Sequence, residues 1–245
     1  LMILRPPRST LDRSSAASDV YKRQNMACEY HRMIEYEDVD GNLYDCIDKL
    51  LTSDVSRVLD IGSGTGRIPL LLSNPIFTVV GLDLYWEMLQ ENVRQRSLSA
   101  GSWLLSQGRA GALPMSQDCF DVVTAGWVLG HTCSWHLDWQ TELDIVLNEM
   151  HRVVRNQGVI IIMETLTTGS VIPSPPTAEL ANYYDWLEKS WDFSRQEIRT
   201  DYRFPDVKEA INNTEFFFGE QLSSMIVDNN WSRVPECTGI WSKIV

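Results

Sequence analysis

From Asp40 onward, apolar and polar positions alternate regularly enough to assign elements one by one. Leu43, Tyr44, Ile47, Leu50 and Leu51 recur at helical spacing behind an Asp-Gly start, which predicts an amphipathic helix packed under the first strand. That strand, SRVLDI, runs into a glycine loop, and a helix follows through IPLLL. Pro69 is tolerated there because it falls in the first turn, and Asn74-Pro75 ends the helix. The pattern then repeats: a strand FTVVGLD ending at Asp83, a helix YWEMLQENVRQ, a short strand near WLLS, a turn around Pro114 to Asp118, and a strand FDVVTAG. A long helix from about Asp138 to Arg155 carries Leu143, Val146, Leu147, Met150 and Val154 on one face, and VIIIM after Gly158 reads as a buried strand. Five strands with helical crossovers predict a parallel, doubly wound α/β sheet.

Beyond Glu164 the character changes. A Pro- and Ser-containing loop leads to a helix TAELANYYDWLEKS, a strand-like RQEIRTDYRF, a further helix around TEFFFGEQL that is expected to pack on the sheet, and a final strand around SRVPECTGIW. The last two strands are expected to pair antiparallel at one sheet edge, within the same domain. Residues 1–24 show no periodicity, and their end, SSAASDVYKRQ, resembles translated sequencing-adapter read-through. This segment is expected to be non-native or disordered, with Met26 as the start; Leu1 to Leu4 is too short for a signal core of about 7 to 15 residues, and Asp12 and Asp19 weaken a transit-peptide reading. Residues 25–245 then form one domain: 25–52 an N-terminal lid and helix, 53–165 the core, and 166–245 a substrate-side region with the closing strands.

At 245 residues the chain can bury a substantial core, and 44% hydrophobic with 22% charged residues is ordinary for a soluble globular protein. No apolar stretch reaches the ~20 residues of a membrane span, so no membrane partner is expected. A net charge of -12 opposes diffuse binding to nucleic acid, because there is no basic excess to displace counterions. Cys28, Cys46, Cys119, Cys133 and Cys237 form no C-x-x-C pair, which fits reduced thiols and a cytoplasmic location.

The stretch VLDIGSGTGR, residues 58–67, sets Asp60 between a β-rich run and Gly62, Gly64 and Gly66. Glycines between a strand and a helix expose backbone N–H groups to a ligand without an intervening Cβ. Roughly twenty residues on, Asp83 closes the second strand, where a carboxylate accepts hydrogen bonds from ribose hydroxyls. The spacing is G-x-G-x-G rather than G-x-G-x-x-G, and Asp60 would oppose a pyrophosphate while attracting an ammonium or a sulfonium. S-adenosylmethionine (SAM) is an adenosine ligand with both.

With VLDIGSGTGR, GLDLYWEML, GRAGALPMSQDCFDVV and MHRVVRNQGVIIIME in this order, the chain resembles class I SAM-dependent methyltransferases acting on small molecules, over about residues 40 to 165. The resemblance implies a Rossmann-like, mostly parallel seven-stranded sheet and a methyltransferase using SAM. It puts Asp60, Gly62, Ser63, Gly64 and Gly66 around the methionine part and Asp83 on the ribose, with Leu84 and Met88 lining the adenine. Where the family often has Asp-Ala before Leu-Pro, this chain has Arg109-Ala110, so the Asp contact to the adenine amino group is missing and Ala110 contributes through its backbone. Gly126, Trp127 and Val128 follow the fourth strand at the ligand crevice, where Trp127 is a candidate aromatic face for the sulfonium. Tyr30, His31, Tyr36 and Tyr44 lie on the N-terminal approach, where related enzymes often fold a lid.

His131 stands just past the fourth strand and is the candidate acceptor of a substrate proton, with an ordinary loop histidine as the alternative. The run HTCSWHLDW superficially resembles a metal site, but no second ligand pair accompanies His131, Cys133, His136 and Asp138, so no metal is expected and Asp138 reads as a helix start. The expected reaction is in-line methyl transfer to an O, N, S or C nucleophile of a small molecule. A protein substrate, or a non-catalytic SAM-binding interaction protein, is the alternative. DVVTAGWV lacks the Asn or Asp, prolines and aromatic of nucleic-acid amino methylation, and the loop spacing and Asp60 disfavour a nicotinamide-dependent oxidoreductase.

Overall fold

In the computed structural model, the described residues are 26–51, 55–73, 76–135 and 138–245. The expectations for residues 1–24, for the Asn74-Pro75 stop and for His136 fall outside them. The elements run α1 (26–34), α2 (Asn42–Leu50), β1 (Arg57–Ile61), α3 (Arg67–Leu71), β2 (Thr78–Asp83), α4 (Trp86–Leu98), β3 (Leu104–Gln107) and β4 (Phe120–Gly126). They continue with α5 (Gly130–Trp135), α6 (Trp139–Val153), β5 (Val154–Thr168), α7 (Ala178–Lys189), β6 (Ser194–Arg199), β7 (Tyr202–Arg203), α8 (Val207–Asp228), β8 (Arg233–Val234) and β9 (Glu236–Ile244).

A seven-stranded sheet has the order β3-β2-β1-β4-β5-β9-β6. Its first five strands are parallel, β9 runs antiparallel to β5, and β6 antiparallel to β9. The chain leaves β1 toward β2 on one side and returns to β4 on the other. The carboxyl ends of β1 and β4 therefore open a crevice at a topological switch point. Because side chains alternate along a strand, Leu59, Val123 and Ile160 join one apolar layer with Leu143 and Leu147 of α6 and Tyr184 of α7. Val58, Val122 and Ile161 join the other, with Leu43 and Ile47 of α2; this helix does not sit under the first strand as the sequence suggests but reaches the far edge, where Asn42 donates to the Arg199 carbonyl of β6 at 2.9 Å.

Three local differences have physical causes. The long helix stops at Val153 and β5 begins at once, because the chain turns through Gln157 (φ 64) and Gly158, where a Cβ would lie 2.7 Å from the Asp121 carbonyl. RQEIRTDYRF and SRVPECTGIW each split: their outer halves form β6 and β9 of the main sheet, while β7 and β8 pair apart as a two-stranded ribbon. The helix α8 packs on that ribbon rather than on the main sheet. Phe217, Leu222 and Ile226 share a third core with Met33 and Ile34 of α1 and with Tyr202 and Phe204, so both ends of the described chain build one cap. Among the described residues no helix is long and apolar enough to cross a membrane.

At the opposite end of the sheet, Asp121 holds three segments together. It accepts hydrogen bonds from the backbone N–H groups of Ser56 (2.9 Å) and Arg57 (2.7 Å) and pairs with Arg155. Burial is outweighed by these partners, and its pKa falls to about 2. Its contribution to stability is thus present above about pH 4 and is lost as pH falls through about 2. Asp121→Asn is expected to lower stability at neutral pH by about 1–3 kcal/mol, read from urea midpoints, and to flatten the acid limb between pH 4 and 2.

Candidate functional site

Asp60 near the end of β1, Asp83 at the end of β2 and Gly126 at the end of β4 converge at the switch point. The Asp60 side chain is 1% exposed, and its Oδ1 accepts a hydrogen bond from Thr124 Oγ1 at 2.7 Å. Burial raises its pKa to about 7 against the effect of that hydrogen bond, and the Asp83 charge adds to the rise. Asp83 closes the loop onto β2: its Oδ2 accepts from Gly64 N–H at 2.9 Å and its Oδ1 from Tyr85 N–H at 2.8 Å. Ser63 N–H donates to the Leu82 carbonyl at 3.0 Å, so loop and second strand are joined twice.

The three loop glycines serve different ends, although the sequence assigns all of them to ligand access. A Cβ on Gly62 would sit 2.5 Å from Val128, and one on Gly66 2.8 Å from Asn92 Oδ1, so these two make room for the protein's own side chains. Only at Gly64 is the space open, the nearest atom being 3.8 Å away, and its φ of +51 still disfavours other residues. Asn92 on α4 is a residue the sequence reading missed. It is fully buried, donates to the Gly64 carbonyl at 3.1 Å, and accepts from Trp103 Nε1 at 2.7 Å. The available signal was an amide four residues after Met88 and three after Leu89, on the helix face that those two apolar residues bury.

Around Asp83 the surface is apolar and open: Leu84 is 49% and Trp86 57% exposed, while Met88 lies buried below them. Ala110 is half-buried against the core, and the Arg109 side chain is exposed, its backbone bridged to Ala112. Trp127 takes a left-handed backbone (φ 52) and donates its N–H to the Met163 carbonyl at 2.7 Å. Its ring is not left for a ligand cation as the sequence suggests: the Arg67 guanidinium lies 3.6 Å above it. Arg67 in turn pairs with Glu37 at 2.9 Å.

The N-terminal approach does fold over the loop. His31 Nδ1 lies 3.0 Å from Thr65 Oγ1, Tyr30 is half-buried with its pKa raised to about 12 by desolvation, and Tyr36 packs on Phe204. Tyr44 stays exposed on α2. His131, in α5, is desolvated so strongly that its pKa falls to about 3. Such an imidazole is neutral at physiological pH and a weak proton acceptor, which counts against the base role the sequence suggests. Nearby, Glu164 at the end of the parallel part of β5 accepts from the Gly130 N–H at 2.8 Å and caps the start of α5; burial raises its pKa to about 7. Asp138 precedes α6 and accepts from Thr141 Oγ1 at 2.9 Å.

Residues 59–162 match a family model described as a methyltransferase domain. A demethylmenaquinone methyltransferase of Geobacillus kaustophilus is 30% identical over 151 residues, 59% of this chain and 58% of that protein. A malonyl-[acyl-carrier protein] O-methyltransferase of Hamiltonella defensa is 27% identical over 183 residues, 66% of this chain and 64% of that protein. The chain thus aligns with less than two thirds of the length of these relatives. A SAM-dependent methyltransferase of Aquifex aeolicus shares the fold with a TM-score of 0.56 at 13% identity, over 96% of this chain and all of that one.

Asp60 binds a proton more tightly in the folded chain than in the unfolded one, so its favourable contribution exists below about pH 4 and is lost as pH rises through about 7. Asp60→Asn is therefore expected to raise stability at pH 8 by on the order of 2–4 kcal/mol, measured by denaturant titration. Asn92→Ala, which strands the Trp103 Nε1–H and the Gly64 carbonyl, is expected to lower it by about 1–3 kcal/mol.

Proposed function

We propose that the chain is a class I SAM-dependent methyltransferase, a reading supported by the methyltransferase-domain match over residues 59–162 and by its sheet, and that it transfers a methyl group from SAM to an O, N, S or C nucleophile of a small molecule. The observation that carries this reading is the buried Asp60 carboxylate beside the Gly64 loop, with the Asp83 carboxylate anchoring that same loop. A carboxylate with so little solvation gains by meeting a positive ligand. The open side of Gly64 and the uncovered apolar rim of Leu84 and Trp86 fit an adenosine group that extends from the loop past Asp83.

In this reading Gly62, Ser63, Gly64 and Gly66 shape the cradle, and Asp60 balances the charge of the methionine part. Asp83 uses the lone pairs left over from Gly64 and Tyr85 to take the ribose hydroxyls. Leu84 lies against the adenine and Met88 supports it from below, while the Ala110 backbone closes the far side. Gly126 keeps the end of β4 low. SAM supplies a methyl already activated on a sulfonium, so positioning does most of the work, and well-oriented pairs gain about 7–11 kcal/mol from entropy lost beforehand. Neutral His131 fits that account as part of the wall rather than as a proton sink. The two aligned relatives are named for methyl transfer, one to demethylmenaquinone and one to malonyl-[acyl-carrier protein], which supports the reaction class here.

Titration calorimetry with SAM and with S-adenosylhomocysteine tests the proposal. Micromolar binding of both is expected, and Gly64→Val should abolish it while leaving the melting transition cooperative. Because only ionised Asp60 attracts the ligand, SAM affinity should weaken as pH falls below about 7, by up to tenfold per unit, with protons released on binding near neutrality. A folded wild-type chain that binds neither ligand would overturn the assignment.

A further inference from the structure

The strand β6 ends the seven-stranded sheet, with β9 on its inner side and no strand beyond it among the described residues. Which of its backbone groups point outward follows from the ladder. Val245, the residue after β9, donates its N–H to the Gly158 carbonyl at 3.0 Å, so odd-numbered residues of β9 bond to β5 and even-numbered ones to β6. Thr200 N–H donates to the Glu236 carbonyl at 3.0 Å, in the register by which Ile198 faces Thr238. Ser194, Gln196 and Ile198 therefore bond inward, and Arg195, Glu197 and Arg199 turn their N–H and C=O groups away from the sheet. The Arg199 carbonyl meets the Asn42 side-chain amide there at 2.9 Å. The outward backbone groups of Arg195 and Glu197 have no strand to pair with among the described residues.

A row of open backbone groups is a template for a further strand, and proteins commonly guard it with charges. Charge of one sign would exclude a second copy of the same edge. Here the signs alternate: Arg195, Glu197 and Arg199 share one face, where Arg195 pairs with Glu197 and lies 3.6 Å from Glu188 of α7. Two β6 edges pair antiparallel about a two-fold axis, and the residues decide where that axis falls. An axis on Arg195 sets Arg195 against itself. An axis on Glu197 sets Glu197 against itself and Arg195 against Arg199, again like against like. An axis on Ile198 needs the Arg199 carbonyl, which Asn42 already holds. With the axis on Gln196, Arg195 of each copy faces Glu197 of the other, and only open backbone groups are used. Phe193, the next outward residue, gives its N–H to the Leu187 carbonyl at 3.1 Å, so the ladder ends there.

We propose that the chain forms a two-fold symmetric dimer in which β6 pairs antiparallel with β6 of a second copy, centred on Gln196, so that two sheets become one. The inference rests on strand pairing and charge and is independent of the methyltransferase reading. On the α7 face the two Arg195 and two Glu197 side chains close into a ring of alternating charge. On the opposite face Gln196 meets its counterpart beside a groove of about 270 Å³ between α2 and β6, lined by Cys46, Lys49 and Ile198 among others. That groove keeps the edge open to an approaching strand. The interface lies across β5 and β9 from β4, so the glycine loop after β1 is left clear.

Sedimentation velocity on the full chain tests this, with a reversible monomer–dimer equilibrium in the micromolar range expected, weakening as salt is added. Glu197→Arg, which sets Arg against Arg195 of the second copy, should weaken the dimer at least about tenfold, and Arg195→Glu combined with Glu197→Arg should restore it. Cross-linking tests the register. Gln196→Cys is made together with Cys46→Ala, because Cys46 Sγ lies 3.4 Å from the Gln196 side chain and would capture the new thiol. Two thiols on the axis form a non-hydrogen-bonded pair with Cα atoms about 4.5 Å apart, inside disulfide range. Mild oxidation should link them, while Ser194→Cys in the same background, off the axis, should stay unlinked. A monomer at every concentration overturns the proposal. So does a dimer that Glu197→Arg leaves intact, that the double reversal fails to restore, or that Gln196→Cys does not cross-link. The cross-linking variants change no charge and decide the matter alone if Glu197→Arg does not fold. A dimer that binds neither SAM nor S-adenosylhomocysteine would overturn the reading under Proposed function and leave this one standing.

Discussion

The hydrogen bond from Gly64 N–H to the Asp83 carboxylate is the contact on which the site depends. A parallel sheet delivers β1 and β2 side by side, but nothing in strand pairing dictates what their following loops do. Here one carboxylate oxygen fixes the glycine loop and the other fixes the first residues after β2, while Asn92 holds the loop carbonyl from beneath. A loop with three left-handed glycines would otherwise sample many conformations. Its ordering is supplied by charge-assisted bonds from the next strand.

The same crevice concentrates desolvated acids. Asp60, Glu164 and Glu236 are each no more than 5% exposed, and burial pushes all three upward in pKa. They are not equivalent. Glu164 caps the start of α5 through Gly130, so its cost is offset by a structural bond. Asp60 has a single hydroxyl donor, and Glu236 leaves an oxygen without one. Acids that the fold itself leaves under-satisfied cost stability, a cost that is common at functional sites.

Much of this was legible in the sequence. Continuous apolar runs such as VVGL and VIIIM and the helical spacing of Leu143, Leu147 and Met150 encode burial directly, so the sheet and its flanking helices follow from local pattern. Asp60, the loop glycines and Asp83 are close in sequence and carry a spacing with chemical meaning. What stayed hidden depends on long-range contact. Glu37, Arg67 and Glu236 are scattered along the chain and meet only when the cap closes. The phenylalanines of α8 look the same whether they face a sheet or a ribbon, and their partners on α1 lie nearly two hundred residues away. The desolvation that lowers the His131 pKa was equally hidden, because position after a strand says nothing of burial.

The cap that joins α1, α8 and the β7–β8 ribbon stands apart from the stretch that the family model matches. The family model spans residues 59–162, which hold Asp60, the loop glycines and Asp83, while Tyr30, Met33, Tyr202 and Phe217 of the cap lie outside it. The N-terminal flank still touches the glycine loop, through His31 on Thr65 and Glu37 on Arg67, so substitutions outside the matched stretch are felt at the loop.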